Sequence, residues 1–114
     1  MVWTIRADEK TALSASGTTT LKIDIAGGTH FTVKEIGVKY TGNFKITRIY
    51  NTGAKKDYLV GNLHETHFAE ESGKFMTLPD PIQLDGPTSL KFDITDTSAS
   101  ENNVYIACIG DESS

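Results

Sequence analysis

The chain has 114 residues, 38% hydrophobic and 23% charged, which is enough for one modest core and not for two independent ones. A formal net charge of −4 disfavours a duplex nucleic-acid binder, which needs clustered lysine and arginine to displace counterions. A single cysteine, Cys108, excludes an internal disulfide framework and a cysteine-based zinc site.

Met1-Val2-Trp3-Thr4-Ile5-Arg6 has no basic region followed by a long apolar stretch, so nothing here reads as a signal peptide. No window is apolar for long enough to span a bilayer. The protein is therefore expected to be made in a cytoplasm, without a membrane partner. Residues 2–6 read as a first strand, and Trp3, so near the terminus, is a candidate intersubunit anchor because an indole buries a large body and keeps a polar tip. Residues 11–20 are small and hydroxylated apart from Leu13 and read as a loop.

In residues 20–26, Leu21, Ile23 and Ile25 alternate with Lys22 and Asp24, the period of a strand with one wet face. Residues 31–41 alternate too, but Phe31 and Val33 fall on odd positions whereas Ile36, Val38 and Tyr40 fall on even ones. A one-residue slip near Glu35 is what a β-bulge absorbs. Thr41-Gly42-Asn43 then turns the chain into a strand over residues 44–51. Further strands are expected at residues 57–63, 81–85, 88–95 and 103–110, with room for one helical turn between Leu63 and Phe75. Pro79 and Pro81 lack amide hydrogens and place their segment at a sheet edge or in a connection. Asp85-Gly86-Pro87 gives a sharp reversal. Eight short strands without helices predict an all-β fold, an antiparallel β-sandwich of jelly-roll type, in one domain over residues 1–114. Residues 1–30 could form a partly separate N-terminal arm, and residues 111–114 read as an acidic, solvated tail.

The charge is uneven along the chain. Residues 31–56 hold Lys34, Lys39, Lys45, Arg48, Lys55 and Lys56 against Glu35 alone, whereas residues 57–114 hold only Lys74 and Lys91 against a majority of Asp and Glu. Either the fold separates these stretches into a positive and a negative face suited to head-to-tail contact between copies, or the strands interleave and the charges cancel. Val104 to Ile109 is apolar at every position, which fits a central strand or one whose outer face meets another subunit, and it makes Tyr105 and Ile109 interface candidates. Cys108, within this run, reads as a buried, inert thiol.

The stretch Phe75-Met76-Thr77-Leu78-Pro79-Asp80-Pro81-Ile82-Gln83-Leu84-Asp85-Gly86, followed by residues 89–98 and by Asn102-Asn103-Val104-Tyr105-Ile106-Ala107-Cys108-Ile109-Gly110, resembles small β-sandwich structural proteins of tailed bacteriophages, of the capsid decoration, head-spike and minor capsid type. The likeness spans roughly residues 31–110 and concerns architecture. It implies a virion structural protein that associates with itself and with a major capsid or other virion protein, reaching the virion by assembly in the host cytoplasm. It carries over no catalytic residue, metal ligand or cofactor.

Few residues suggest chemistry. His64, His67 and Glu71 would share a face on a helical turn and could hold a divalent ion, although their spacing differs from the HExxH arrangement and a solvated loop explains the same letters. Asp93, Asp96 and Glu101, with Ser98 and Ser100, supply oxygen donors for calcium without matching the EF-hand spacing. His30 has no evident partner, and neither a nucleophile elbow nor a phosphate-binding glycine loop is present. The expectation is a non-enzyme without cofactor. The alternative function is a carbohydrate-binding sandwich module of a fibre or spike, which would present an exposed aromatic row drawn from Trp3, Tyr40, Tyr50, Tyr58 and Tyr105.

Overall fold

A computed structural model of the chain describes residues 2–59, 61, 63–64, 75–98 and 100–113. The strands are β1 (Val2–Leu13), β2 (Thr18–Ile25), β3 (His30–Tyr40), β4 (Phe44–Asn51), β5 (Lys56–Asp57), β6 (Leu63–His64), β7 (Phe75–Asp85), β8 (Thr88–Asp96) and β9 (Asn102–Ser113). They form two antiparallel sheets, one in the order β1-β9-β3-β7 and the other β2-β8-β4-β5, with β6 also pairing β4. The chain changes sheet at almost every connection, the weave of a jelly roll, and β5 and β6 are two short pieces of one edge. The single strand expected over residues 57–63 is thus divided.

The strands exist because alternation sends one face of each inward. Leu21, Ile23 and Ile25 on β2, Leu90, Phe92 and Ile94 on β8, and Val104, Ile106 and Cys108 on β9 are all buried and belong to one core with Phe31, Val33, Phe44, Ile46 and Leu84. The slip anticipated near Glu35 is a register shift between Val33 and Glu35, felt by both neighbours of β3. On β7 that shift is large: Val33 pairs Ile82 and Glu35 pairs Thr77, so residues 78–81 stand opposite Lys34 alone. Pro79 and Pro81 fall in this stretch, on an edge strand, where a missing donor breaks no ladder.

Three expectations are corrected. β1 runs on to Leu13, because Leu13 is buried and pairs with Asn102 after a second register shift, so the loop shrinks to residues 14–17, closed by Gly17 N donating to Ser14 O at 2.8 Å. β7 begins at Phe75, six residues before the expected strand. Residues 111–113 are not a free tail, since Asp111 pairs with Trp3 and Thr32, and Glu112 pairs with Val2 and Phe31. The helical turn expected between Leu63 and Phe75 falls mostly on residues 65–74, outside the described residues, while His64 itself lies in β6.

The open seam between the sheets is bridged by side chains of β1. Asp8 Oδ2 accepts from Lys22 N at 2.9 Å, and Arg6 Nη1 donates to Asp24 O at 3.5 Å, so the outer edge of β2 spends part of its backbone on side chains of β1. Arg6 also pairs with Glu112 at 2.5 Å and lies 5.9 Å from the centre of the Phe31 ring.

Candidate interaction face

β9 is the centre of the first sheet, between β1 and β3, which explains why its run is apolar on both sides. Its inward side chains join the core, and Tyr105 and Ala107 point outward, partly exposed. The register lines up three rungs across the outer face: Ile5, Ile109 and Glu35; Ala7, Ala107 and Gly37; Glu9, Tyr105 and Lys39. The middle rung carries almost no side chain. It floors a depression of about 300 Å³ lined by Ala7, Gly37 and Ala107 and rimmed by Glu9, Lys39 and Tyr105. Beside it stands Ile5, 51% exposed, the one large apolar side chain among the described residues left open to solvent.

Of the interface candidates, Tyr105 sits on this rim with the Lys39 ammonium 5.9 Å from its ring centre. Ile109 is corrected: it is 7% exposed, hence filled in rather than presented. The Trp3 side chain lies outside the described residues, and only its strand position opposite Asp111 is fixed. Ile5 was not singled out from sequence, where nothing separates it from an ordinary strand residue.

The charge-face expectation resolves as interleaving. β3 and β4, which carry most of the basic stretch, are each inserted between strands from the acidic stretch, in different sheets. Local pairs result, Lys34 with Asp111 at 2.6 Å and Arg48 with Asp57 at 2.7 Å.

The calcium candidates do not converge. Asp96 is 2% exposed and points into the fold, whereas Asp93 lies on the opposite face of β8, where it accepts from Thr20 Oγ1 at 2.8 Å. Asp96 Oδ2 accepts from Ser16 N at 2.8 Å, and Oδ1 accepts from Ser98 Oγ at 2.7 Å and Asn102 Nδ2 at 3.0 Å. Burial alone would raise the Asp96 carboxyl, but the hydrogen bonds from Ser98, Ser16 and Asn102 outweigh it and hold the group below its ordinary value. Such a carboxylate is already saturated with donors and ties together the loops at one end of the sandwich. Glu101 is exposed and is not among the partners of Asp96. His67 and Glu71 lie outside the described residues; among those described, no three His, Cys, Asp or Glu side chains could hold a metal ion.

His30 does have a partner, contrary to the sequence reading. The β3–β7 register places Asp85 opposite it, 2.7 Å from Nδ1, and the bonds from His30 and Gln83 lower the Asp85 carboxyl. Both side chains are solvent-exposed, so the pair clamps an edge strand. Burial pushes the Cys108 thiol up to about 12, which keeps it protonated and inert. The tyrosines form no open row: Arg48 covers Tyr50 at 4.1 Å, Tyr40 stacks edge-on against Phe44, and Tyr58 packs on the core beneath Lys56 at 5.2 Å.

No protein-family model matches this sequence, and no curated protein matches it. Among solved structures, the chain is similar to one in the acidic stable capsid structure of Helicobacter pylori bacteriophage KHP30, with a TM-score of 0.54, 10% identity, and coverage of 100% of this chain and 94% of that one. It is more distantly similar to the Drosophila NLP-core, described for pentamer formation and histone binding, at a TM-score of 0.44, 14% identity and coverage of 94% and 97%. A family 29 carbohydrate-binding module gives 0.32, 14%, 94% and 89%. At these identities the likeness is one of fold.

Proposed function

We propose that the chain is a structural component of a bacteriophage particle, a capsid decoration or minor capsid protein that associates with copies of itself and with the shell and performs no catalysis. The observation that carries this reading is the likeness in fold to a chain of a phage capsid, which extends over 100% of this chain and 94% of that one. The sequence pattern of residues 75–110 points independently in the same direction, as does an outer sheet face whose centre is bare of large side chains and whose margin leaves Ile5 exposed.

In this reading the protein acts mechanically. Each contact buried between copies, or between a copy and the shell, binds the assembled state preferentially and shifts the equilibrium away from disassembly. Mass spectrometry of purified particles is the test. The chain should be present at a fixed ratio to the major capsid protein, and particles lacking it should open at lower temperature; its absence from virions would overturn the reading. Binding across a glycan array, in particles and in isolation, would instead favour a carbohydrate-recognition role.

A further inference from the structure

We infer that the outer face of the β1-β9-β3-β7 sheet is the surface on which one copy of this chain packs against a second copy, with a two-fold axis running along β9. This rests on the assembly reading and names the surface that reading leaves open.

Edge-to-edge pairing is discouraged at two of the sheet edges. β7 is interrupted by the four residues opposite Lys34, with Pro79 and Pro81 among them, and the β2 edge is engaged by Asp8 and Arg6. The face remains. Its middle rung, Ala7, Ala107 and Gly37, lets a second sheet approach closely, and the exposed Ile5 would then lie over Glu35 of the second copy.

The charges specify the occupant. Glu9 and Lys39 flank Tyr105 on the same rung, on opposite sides of β9 and so about 10 Å apart, two strand spacings. Neither makes an ion pair among the described residues, although Arg6 on the strand of Glu9 and Lys34 on the strand of Lys39 both do. Rotation about an axis along β9 exchanges the two sides of the sheet. Glu9 of each copy then faces Lys39 of the other, twice per dimer, with Tyr105 near the axis and Ala7 facing Gly37 across it. An isologous contact requires this kind of self-complementarity, the same patch carrying both signs on either side of its axis.

The test uses the full chain in sedimentation equilibrium across a concentration series. Wild type should be a dimer that weakens with salt. Glu9→Lys and Lys39→Glu should each raise the dissociation constant by about tenfold or more, since each places like charges together at both contacts. Mixing the two variants should restore association to near the wild-type strength, because every facing pair is again opposite in sign. Ala107→Arg, partly exposed at the centre of the face, should abolish the dimer while leaving a folded monomer with the wild-type circular dichroism spectrum, whose thermal midpoint no longer depends on protein concentration. A monomeric wild type, an oligomer of odd order, charge variants that leave the dissociation constant unmoved, or a mixture that fails to associate would each overturn the inference. A chain present in particles but monomeric alone overturns this interface and leaves the assembly reading standing, whereas a charge-reversible dimer absent from particles does the reverse.

Discussion

Replacing Asp96 with alanine tests the account of the sandwich end most directly. The side chain is 2% exposed and accepts from Ser16 N, Ser98 Oγ and Asn102 Nδ2 at 2.7 to 3.0 Å, with a longer bond from Ser98 N at 3.3 Å. On its removal Asn102 keeps Gly42 O at 2.8 Å and Asn43 O at 3.2 Å, and Ser98 Oγ keeps Ser100 O at 2.8 Å, so only part of the network is orphaned. The loss amounts to about two hydrogen bonds to a charged group, or about 3 kcal/mol. For a domain of this size that lowers the thermal midpoint by about 12 °C. Urea unfolding should show the midpoint falling with an unchanged slope, since the surface exposed on unfolding is the same. Asp96→Asn supplies the pH arm. The folded-state carboxyl sits below its ordinary value of 3.8, so its stabilisation is complete above that value and is lost as pH falls through the lower folded one. The gap between wild type and Asp96→Asn should therefore be constant above about pH 5 and shrink on acidification. Stability of Asp96→Ala within about 0.5 kcal/mol of wild type, the range of an ordinary surface change, or a gap that widens in acid, would refute the reasoning.

Gly110→Ala should be severe, because a Cβ there would lie 1.7 Å from Thr32 O and 3.1 Å from Val33 Cα, backbone atoms that cannot swing aside; a loss of at least about 3 kcal/mol in urea titration is expected. Gly27→Ala, whose new Cβ would meet nothing nearer than Pro87 Cδ at 3.7 Å, is the control and should fold normally. Phe92→Ala removes a ring that is 0% exposed at the middle of β8 and should cost about 3–5 kcal/mol, read by the same titration. Cys108 should resist a thiol reagent in the native protein and react fully in denaturant; fast labelling of the folded chain would contradict its burial and its raised value.

The sheet-forming segments were legible because alternation is local. Leu21, Ile23 and Ile25 announce their strand without reference to anything distant, and the slip between Val33 and Ile36 announced the bulge. Asp96 was legible as well and was passed over: it continues the phase of Leu90, Phe92 and Ile94, which puts it on the core face and not among loop ligands. The His30–Asp85 pair, the pairing of residues 111–113 and the three outer rungs were not legible, because each depends on registers between segments tens of residues apart. Charge tallies along the chain misled for the same reason, since the weave inserts basic strands between acidic ones.

The placement of β9 also orders the life of each new chain. β9 is made after the other strands of the sandwich, yet it is the one that β1 and β3 both require as a neighbour, with pairs such as Ile5 and Ile109 lying about a hundred residues apart in sequence. Until residues 102–113 emerge, that sheet has no middle, and loop-closure entropy must be met before most of its contacts can repay it. Folding should accordingly be late and slow compared with a helical domain of equal length. A chain stalled before β9 lacks Tyr105 and Ala107 and with them the middle of the outer face, so only copies that have completed β9 could enter an assembly built on that face.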